Sequence, residues 1–188
     1  QGSSAKVAPS GPKRNADGLA AIPPRLKRPS TRTAMPYRIL VLNGPNLGAL
    51  GRRQPEIYGR EGLDAVPRLV REFLGSAADD VTLEFFQSNH EGALIDRLEQ
   101  ARAEGVDGVA FNAGALTHTS LALADCLAWI GLPCVEVHVS NVFARTEDPI
   151  RRHSYMAKQC LGVVSGFGLA SYALAVQALV FHLNRQHS

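Results

Sequence analysis

A chain of 188 residues, 45% hydrophobic and 20% charged, has enough apolar side chains for one hydrophobic core, so one compact domain is expected. No stretch approaches the roughly eighteen consecutive apolar residues of a transmembrane helix, and the N-terminus lacks the apolar centre of a signal peptide. We therefore expect a soluble, cytoplasmic protein with no membrane partner. Cys126, Cys134 and Cys160 lie in apolar runs without CxxC spacing, which is typical of buried, reduced thiols rather than of a metal site or a disulfide framework.

Positive charge is concentrated at the N-terminus. Residues 1–38 contain eight Lys or Arg and one acidic residue, a net charge of +7, whereas the rest contains twelve basic and sixteen acidic residues, a net charge of −4. Residues 1–36 lack apolar periodicity and predict a disordered basic extension, natural or derived from cloning or read-through, with Met35 at or near the natural start. A basic arm for nucleic acid is the functional alternative, but no pattern in the remaining residues supports it, so no nucleic-acid partner is expected.

Residues 37–188 are predicted to form one α/β domain in which strands and helices alternate. Five short apolar runs bounded by Gly, Pro or Asn predict strands, and the segments between and after them have helical patterns. The alternation predicts right-handed βαβ units and a five-stranded parallel sheet with helices on both faces, most simply in flavodoxin-like topology. In chain order, the predicted strands are 38–43, 81–87, 108–112, 134–138 and 162–167, and the predicted helices are 61–75, 91–104, 119–130 and 168–184.

Two of these helices have unusual sequences. Pro67 lies inside the first, where it is expected to occupy an early turn or to kink the helix. The last helix is apolar on nearly all sides, with Ser171, Gln177, His182 and Asn184 as its polar interruptions. A helix of this kind usually buries a second face, so we predict a homo-oligomer.

Polar segments follow four of the five predicted strands. The first strand leads into NGPNLGALGRRQPEIYG, the second into QSNHEG, the third into NAGALTHTS and the fourth into HVSNVFAR. In an open parallel sheet, ligands bind outside the carboxyl ends of the strands. These segments are rich in side chains that titrate or form hydrogen bonds, so the sequence predicts the functional site at this edge.

Nucleotide and metal signatures do not fit these segments. Gly44, Gly48 and Gly51 do not form GxGxxG, and no Gly-Lys-Ser/Thr follows them. His118 and His138 lie on different elements without a convincing third ligand, so no metal is expected.

The first loop contains a candidate base. A tyrosine phenol has an unperturbed pKa of about 10, and an adjacent guanidinium lowers that pKa because it favours the phenolate. Arg53 and Tyr58 lie on one short loop bounded by Gly and Pro and could form such a pair. A surface arginine beside a packed tyrosine is the structural alternative.

The fourth strand contains a candidate acid. His138 is a natural proton donor at a strand end. Glu136 lies two residues earlier and hence on the same face, where its carboxylate could orient or charge a nearby histidine. A lone histidine here is more often structural, but Asn112 and His118 join it from the neighbouring strand end.

The NAGALTHTS segment leads into the third predicted helix. Thr117 or Thr119 is expected to cap that helix. The free N–H groups of its first turn would favour a substrate anion nearby.

Five motifs together resemble a known family. NGPNLxxLGxRxPxxYG, QSNHEG, NxGAxTHTS, VEVHxSN and RRHSY occur in this order over about residues 37–184. Their combination closely resembles the type II 3-dehydroquinate dehydratases. The resemblance implies a single catalytic flavodoxin-like domain, a dodecamer built as a tetramer of trimers, and neither a metal nor an organic cofactor. It also implies the reaction, a reversible anti elimination of water from 3-dehydroquinate that gives 3-dehydroshikimate through an enolate, used in the shikimate pathway of aromatic amino-acid biosynthesis or in quinate metabolism.

The resemblance implies a role in the reaction for five residues. Tyr58 would take the proton from C2 of the substrate, and Arg53 would keep Tyr58 ionised. Asn46 would help to place the water that stabilises the enolate oxygen. His138 would protonate the departing C1 hydroxyl with the support of Glu136.

A second group of residues would hold the substrate. Its members are Asn112 and the backbone N–H groups of Val139 and Ser140 for the carboxylate, His118 and Arg151 for the ring hydroxyls, and Asp125 from a neighbouring subunit. Arg151 is preferred to Arg152 because RRHSY aligns from its right-hand side, after a segment that is about two residues longer than usual.

Two other classes of protein share part of the pattern. A flavodoxin-like module that binds a flavin would have the same fold, but it would be yellow and would need no Arg–Tyr pair. A hydrolase would use Ser120 or Ser140 with His138, but neither serine lies in a nucleophile-elbow pattern.

Overall fold

The computed structural model describes residues 36–51 and 61–186, and in them five parallel strands form one sheet in the order β2, β1, β3, β4, β5. This is the flavodoxin-like order, so the predicted fold class is confirmed. The strands are β1 (Tyr37–Asn43), β2 (Val81–Gln87), β3 (Gly108–Asn112), β4 (Cys134–His138) and β5 (Gly162–Ser165), and the α-helices of these ranges are α1 (Val66–Leu74), α2 (Glu91–Ala103), α3 (Leu121–Ile130) and α4 (Ala170–Gln186).

Helices cover both faces of the sheet. Successive residues of a strand point to opposite faces, and in β1 Ile39 and Val41 belong to the core shared with α1 and α4. Leu40 and Leu42 belong to the second core, which contains α2 and α3. All four side chains are fully buried, which explains why β1 is a nearly continuous apolar run rather than an alternating one.

The first helix begins later than its sequence pattern suggests. A 3₁₀ turn at Leu63–Ala65 precedes α1, and Pro67 occupies its first turn. The missing N–H of a proline costs no hydrogen bond at that position, because the first N–H groups of a helix have no intrahelical partner. Of the two expectations for Pro67, the early turn is the one that the fold contains.

The apolar surface of α4 is used within the chain. Tyr172, Val176, Leu179 and Leu183 are buried against the sheet and α1, while Phe181 is 64% exposed. The sheet and α1 therefore cover much of the apolar surface from which we predicted a homo-oligomer. The homo-oligomer itself stays a prediction.

The positions of the three cysteines can be compared with the prediction from sequence. Cys126 and Cys134 are buried, Cys160 is half-buried, and all three are free, in agreement with the expected reduced thiols. Burial raises the pKa of the Cys126 thiol to about 11.

Within residues 36–51 and 61–186, no helix has the length and apolar character needed to cross a membrane. The predicted N-terminal extension lies outside the described residues, apart from Pro36.

Candidate active site

A cavity of about 150 Å³ lies at the carboxyl ends of β1, β3 and β4. The parallel register brings Asn43, the last residue of β1, beside Asn112, the last residue of β3, so the loops that follow meet at one edge. Seven of the predicted site residues line this cavity, namely Asn46, Asn112, His118, His138, Val139, Ser140 and Arg151.

The other four predicted site residues are placed differently. Glu136 is fully buried beneath His138 and does not line the cavity, but it is hydrogen-bonded to His138, which does. Asp125 lies on the exposed side of α3, away from the cavity lining. Arg53 and Tyr58 lie outside the described residues.

Glu136 and His138 form a buried pair on one face of β4. Nε2 of His138 lies 2.7 Å from Oε1 of Glu136, and because a carboxylate can only accept, Nε2 carries a hydrogen. Thr117 also donates to Oε1, and Ser154 donates to Oε2 at 2.8 Å. Nδ1 is therefore the ring nitrogen of His138 that is left to exchange a proton with a molecule in the cavity.

The donors around Glu136 keep its carboxyl group ionised. Burial alone would raise the pKa of this carboxyl group, but the hydrogen bonds from His138 and Thr117, the charge of His138 and the hydrogen bond from Ser154 outweigh burial. The pKa of Glu136 consequently lies below its ordinary value.

This lowered pKa predicts how stability depends on pH. The unfolded chain binds the Glu136 proton more readily than the folded chain, so ionised Glu136 contributes stability at neutral pH. That contribution is lost as the pH falls through about 4.3, the ordinary glutamate value, and then through the lower folded pKa. We expect the free energy of unfolding, measured with denaturant from pH 7 to 3.5, to fall more steeply for the native chain than for Glu136→Gln. Parallel pH profiles would contradict the ionised state of Glu136.

His118 faces His138 across the cavity. Their rings lie nearly parallel, with planes 8° apart and centroids separated by 6.5 Å. Nδ1 of His118 lies 2.6 Å from the carbonyl oxygen of His153, and since a carbonyl only accepts, Nδ1 carries the hydrogen. Burial lowers the pKa of His118, as do His138, Arg145 and Arg151, against the raising effect of the His153 carbonyl. His118 is therefore neutral at pH 7 and offers Nε2 as an acceptor.

A buried tyrosine holds the two asparagines at this edge of the sheet. Oη of Tyr172, on α4, donates to Oδ1 of Asn43 at 2.6 Å and accepts from Nδ2 of Asn112 at 2.9 Å. Oδ1 of Asn112 accepts from the N–H of Gly114 at 3.1 Å. These contacts orient the Asn112 amide at the cavity, where the second hydrogen of Nδ2 is available to a ligand.

Comparison with known proteins relates this arrangement to one family. The family Dehydroquinase class II matches residues 37–180. A 3-dehydroquinate dehydratase of Exiguobacterium sp. is 51% identical over 150 residues, 80% of this chain and 99% of that protein. The chain belongs to the class II dehydroquinases.

Solved structures agree with this assignment. The type II dehydroquinase of Butyrivibrio crossotus is 40% identical, covers 77% of this chain and 98% of its own, and superposes with a TM-score of 0.70. The type II dehydroquinase of Propionibacterium acnes is 36% identical, covers 81% and 99% respectively, and has a TM-score of 0.68. The predicted family is confirmed, and with it the prediction that this chain is an enzyme, a 3-dehydroquinate dehydratase.

Sequence reasoning missed several residues of this dehydroquinase site. Ser154 and Tyr172 were not singled out, and Arg145, which lines the cavity and donates to Oγ of Ser140 at 2.9 Å, was overlooked. Ser154 lies within RRHSY and Arg145 ends HVSNVFAR, so a closer look at both motifs could have drawn attention to them.

The helix cap was assigned to the wrong residue. Ser120, not Thr117 or Thr119, caps α3, because its Oγ accepts from the N–H of Leu123 at 2.9 Å. The Thr117 hydroxyl donates to Glu136 instead. Among the described residues of this dehydroquinase, no group of three or more His, Cys, Asp or Glu side chains is placed to hold a metal ion.

Proposed function

We propose that this enzyme catalyses the reversible anti dehydration of 3-dehydroquinate to 3-dehydroshikimate through an enolate, without a metal or an organic cofactor. The observation that supports this mechanism most directly is the buried Glu136–His138 pair, which presents a histidine nitrogen to a cavity lined by polar groups. Relatives of this chain are 3-dehydroquinate dehydratases, which points to the same substrate.

His138 acts as the general acid. Removing a hydroxide from C1 requires a proton donor within hydrogen-bond distance, and general acids of this kind contribute about 10²- to 10⁴-fold to the rate. The Nδ1–H of protonated His138 supplies that proton, while ionised Glu136 holds Nε2 and balances the charge of the imidazolium.

Amide, backbone and cationic groups hold the substrate carboxylate. Nδ2 of Asn112 and the backbone N–H groups of Val139 and Ser140 are the donors at the cavity. Among the backbone hydrogen bonds of the described loops and turns, none is donated by the N–H of Val139 or of Ser140. Arg145 adds positive charge and orients the Ser140 hydroxyl.

The ring hydroxyls of the substrate contact the other side of the cavity. Nε2 of neutral His118 accepts from one hydroxyl, and Arg151, whose Nε lies 3.5 Å from Oδ2 of Asp148, donates to another. Asp125 reaches the site of a neighbouring subunit in a dodecamer made of four trimers, which explains why it lies away from the cavity of its own chain.

The proposed base and the residue that helps to stabilise the enolate oxygen both lie on the first loop. Asn46 lines the cavity in a left-handed backbone conformation (φ 68°) that is fixed by Asn89, whose Oδ1 accepts from the Asn46 N–H at 2.9 Å. Its side chain helps to place a water on the enolate oxygen. Tyr58 takes the C2 proton, and Arg53 keeps the Tyr58 phenol ionised, as the sequence motif predicts.

The two competing functions make different demands on the site. A serine hydrolase would need a histidine nitrogen on a serine hydroxyl, but Ser120 caps α3, Ser140 accepts from Arg145, and Nε2 of His138 binds Glu136. A flavin-binding module would not require a buried Glu–His pair.

An ultraviolet assay tests the proposed reaction. We expect the native enzyme to convert 3-dehydroquinate into a conjugated enone, seen as a rise in absorbance, without added metal and in the presence of a chelator. A colourless preparation and the absence of labelling by a serine-directed phosphonate are the parallel expectations. No turnover by the folded protein would overturn the proposed function.

The Tyr172 hydroxyl is expected to support both folding and substrate binding. Tyr172→Phe leaves the buried amides of Asn43 and Asn112 without this partner, so we expect a loss of about 1–3 kcal/mol in the free energy of unfolding. KM for 3-dehydroquinate should rise, because Asn112 is less well oriented toward the carboxylate. Denaturant unfolding and steady-state kinetics measure the two effects.

Tyr37→Phe is the matched control for this change. Oη of Tyr37 donates to Oδ1 of Asn184 at 3.0 Å, and Tyr37 lies at the start of β1, far from the site. This control should lose stability without a change in KM. Equal KM values for both variants would contradict the proposed effect of Tyr172 on Asn112.

A further inference from the structure

The Ser154 hydroxyl lies between a backbone turn and the buried carboxylate of Glu136. Its Oγ accepts from the N–H of Met156 at 3.1 Å and from the N–H of Ala157 at 3.0 Å, and it donates to Oε2 of Glu136 at 2.8 Å. A hydroxyl has two lone pairs and one hydrogen. The two N–H groups occupy the lone pairs, so the hydrogen is left for an acceptor, and Oε2 of Glu136 at 2.8 Å is closer than Oγ1 of Thr117 at 3.1 Å.

Glu136 is thereby held at both of its oxygens. Oε1 accepts from Thr117 and from Nε2 of His138, while Oε2 accepts from Ser154. The side chain of Glu136 has no exposure to solvent, so its carboxylate depends on these protein donors. Rotation of the carboxylate would break all three contacts. The orientation of the His138 ring, and so the direction in which Nδ1 points, depends on the Glu136 carboxylate staying in place.

The segment around Ser154 is anchored to the same site. The carbonyl of His153 accepts from Nδ1 of His118, and the N–H of Tyr155 donates to the carbonyl of Thr117 at 3.0 Å. Ser154 itself does not line the cavity, so it can influence the reaction only through its neighbours.

We propose that Ser154 is a positioning residue for the general acid. It fixes the Glu136 carboxylate so that His138 presents Nδ1 to the departing hydroxyl. This inference rests on the proposed dehydration, in which His138 is the acid.

The test is steady-state kinetics with 3-dehydroquinate on substitutions at this position. Ser154→Ala should lower kcat by about tenfold, a part of the 10²- to 10⁴-fold effect of a general acid, and leave KM within about twofold of the native value. Ser154→Thr keeps a hydroxyl donor and should restore most of kcat. The matched control is Ser171→Ala, since the buried Ser171 hydroxyl accepts from the N–H of Phe167 at 3.2 Å outside the site, and its kcat should equal that of the native enzyme.

A double-mutant cycle with Glu136→Gln separates positioning from a general loss of structure. If Ser154 acts through the carboxylate, adding Ser154→Ala to Glu136→Gln should lower kcat less than about twofold further, because the two changes remove one interacting unit. Independent losses that multiply, or no rescue by threonine, would overturn the role of Ser154.

Two further outcomes are distinguishable. Turnover by the native enzyme with an unchanged kcat for Ser154→Ala would overturn this inference alone, whereas no turnover by the native enzyme would overturn the proposed function and this inference with it. If Ser154→Ala does not fold, Ser154→Cys replaces it, because a thiol is only a weak donor and the same fall in kcat is expected.

Discussion

Replacing His138 with asparagine is expected to reduce kcat by about 10²- to 10⁴-fold and to change KM by less than about threefold. Asparagine can donate to Glu136, so the buried carboxylate keeps a partner and the chain should fold. It has no ring nitrogen that can transfer a proton, so the C1 hydroxyl would depart without a proton donor. Steady-state kinetics on 3-dehydroquinate, with circular dichroism to check folding, provide the measurement.

His182→Asn is the matched control for this change. His182 lies on α4 and interacts with Gln186 at the surface, away from the cavity. Its kcat and KM should equal those of the native enzyme. A folded His138→Asn enzyme that retained more than about a tenth of native kcat would overturn the role of His138 as the acid.

Tyr58→Phe is expected to reduce kcat by a similar factor, about 10²- to 10⁴-fold, because a phenyl ring has no oxygen to accept the C2 proton. This expectation comes from the sequence motif, since Tyr58 lies outside the described residues. Tyr37→Phe is again the control, with native kinetics expected. Exchange of the C2 hydrogen with solvent deuterium, followed by NMR, should be lost together with turnover. Normal turnover by Tyr58→Phe would exclude it as the base.

Arg53→Ala distinguishes an ionised tyrosine from one that only contacts the substrate. Without the guanidinium, the pKa of the Tyr58 phenol should rise, so a smaller fraction is ionised at a given pH. The acidic limb of the kcat profile is then expected to move to higher pH, while the plateau at high pH approaches the native value. An unchanged profile would contradict the pairing of Arg53 with Tyr58.

The sheet could be predicted from sequence because each strand is a short run of mostly apolar, β-branched or aromatic residues, and the three central strands β1, β3 and β4 are buried on both faces. β2, β3 and β4 have the bounds that their apolar runs indicate. β5 is shorter than predicted and ends at Ser165, since Gly166 adopts φ 99°, which a strand cannot continue through. The last helix accordingly begins at Ala170 rather than at 168.

The pairing of site residues was predictable only where it is local. Glu136 and His138 are two apart in a strand, and the period of two is sufficient to place them on one face. Thr117 and Ser154 reach Glu136 across 19 and 18 residues, and Tyr172 reaches Asn43 across 129. Such contacts depend on how α4 and the loops dock on the sheet, and no periodicity in the sequence encodes that docking.

The Tyr172 bridge has a consequence for how this site can change during evolution. Asn43 and Asn112 end neighbouring strands, and one phenol satisfies an oxygen of the first and an amide nitrogen of the second. A substitution at any one of the three positions removes a hydrogen-bond partner from a buried polar group at another. The three positions should therefore show strong epistasis in the free energy of unfolding. Tyr172, on the last helix, should in this sense be retained wherever Asn43 and Asn112 are retained.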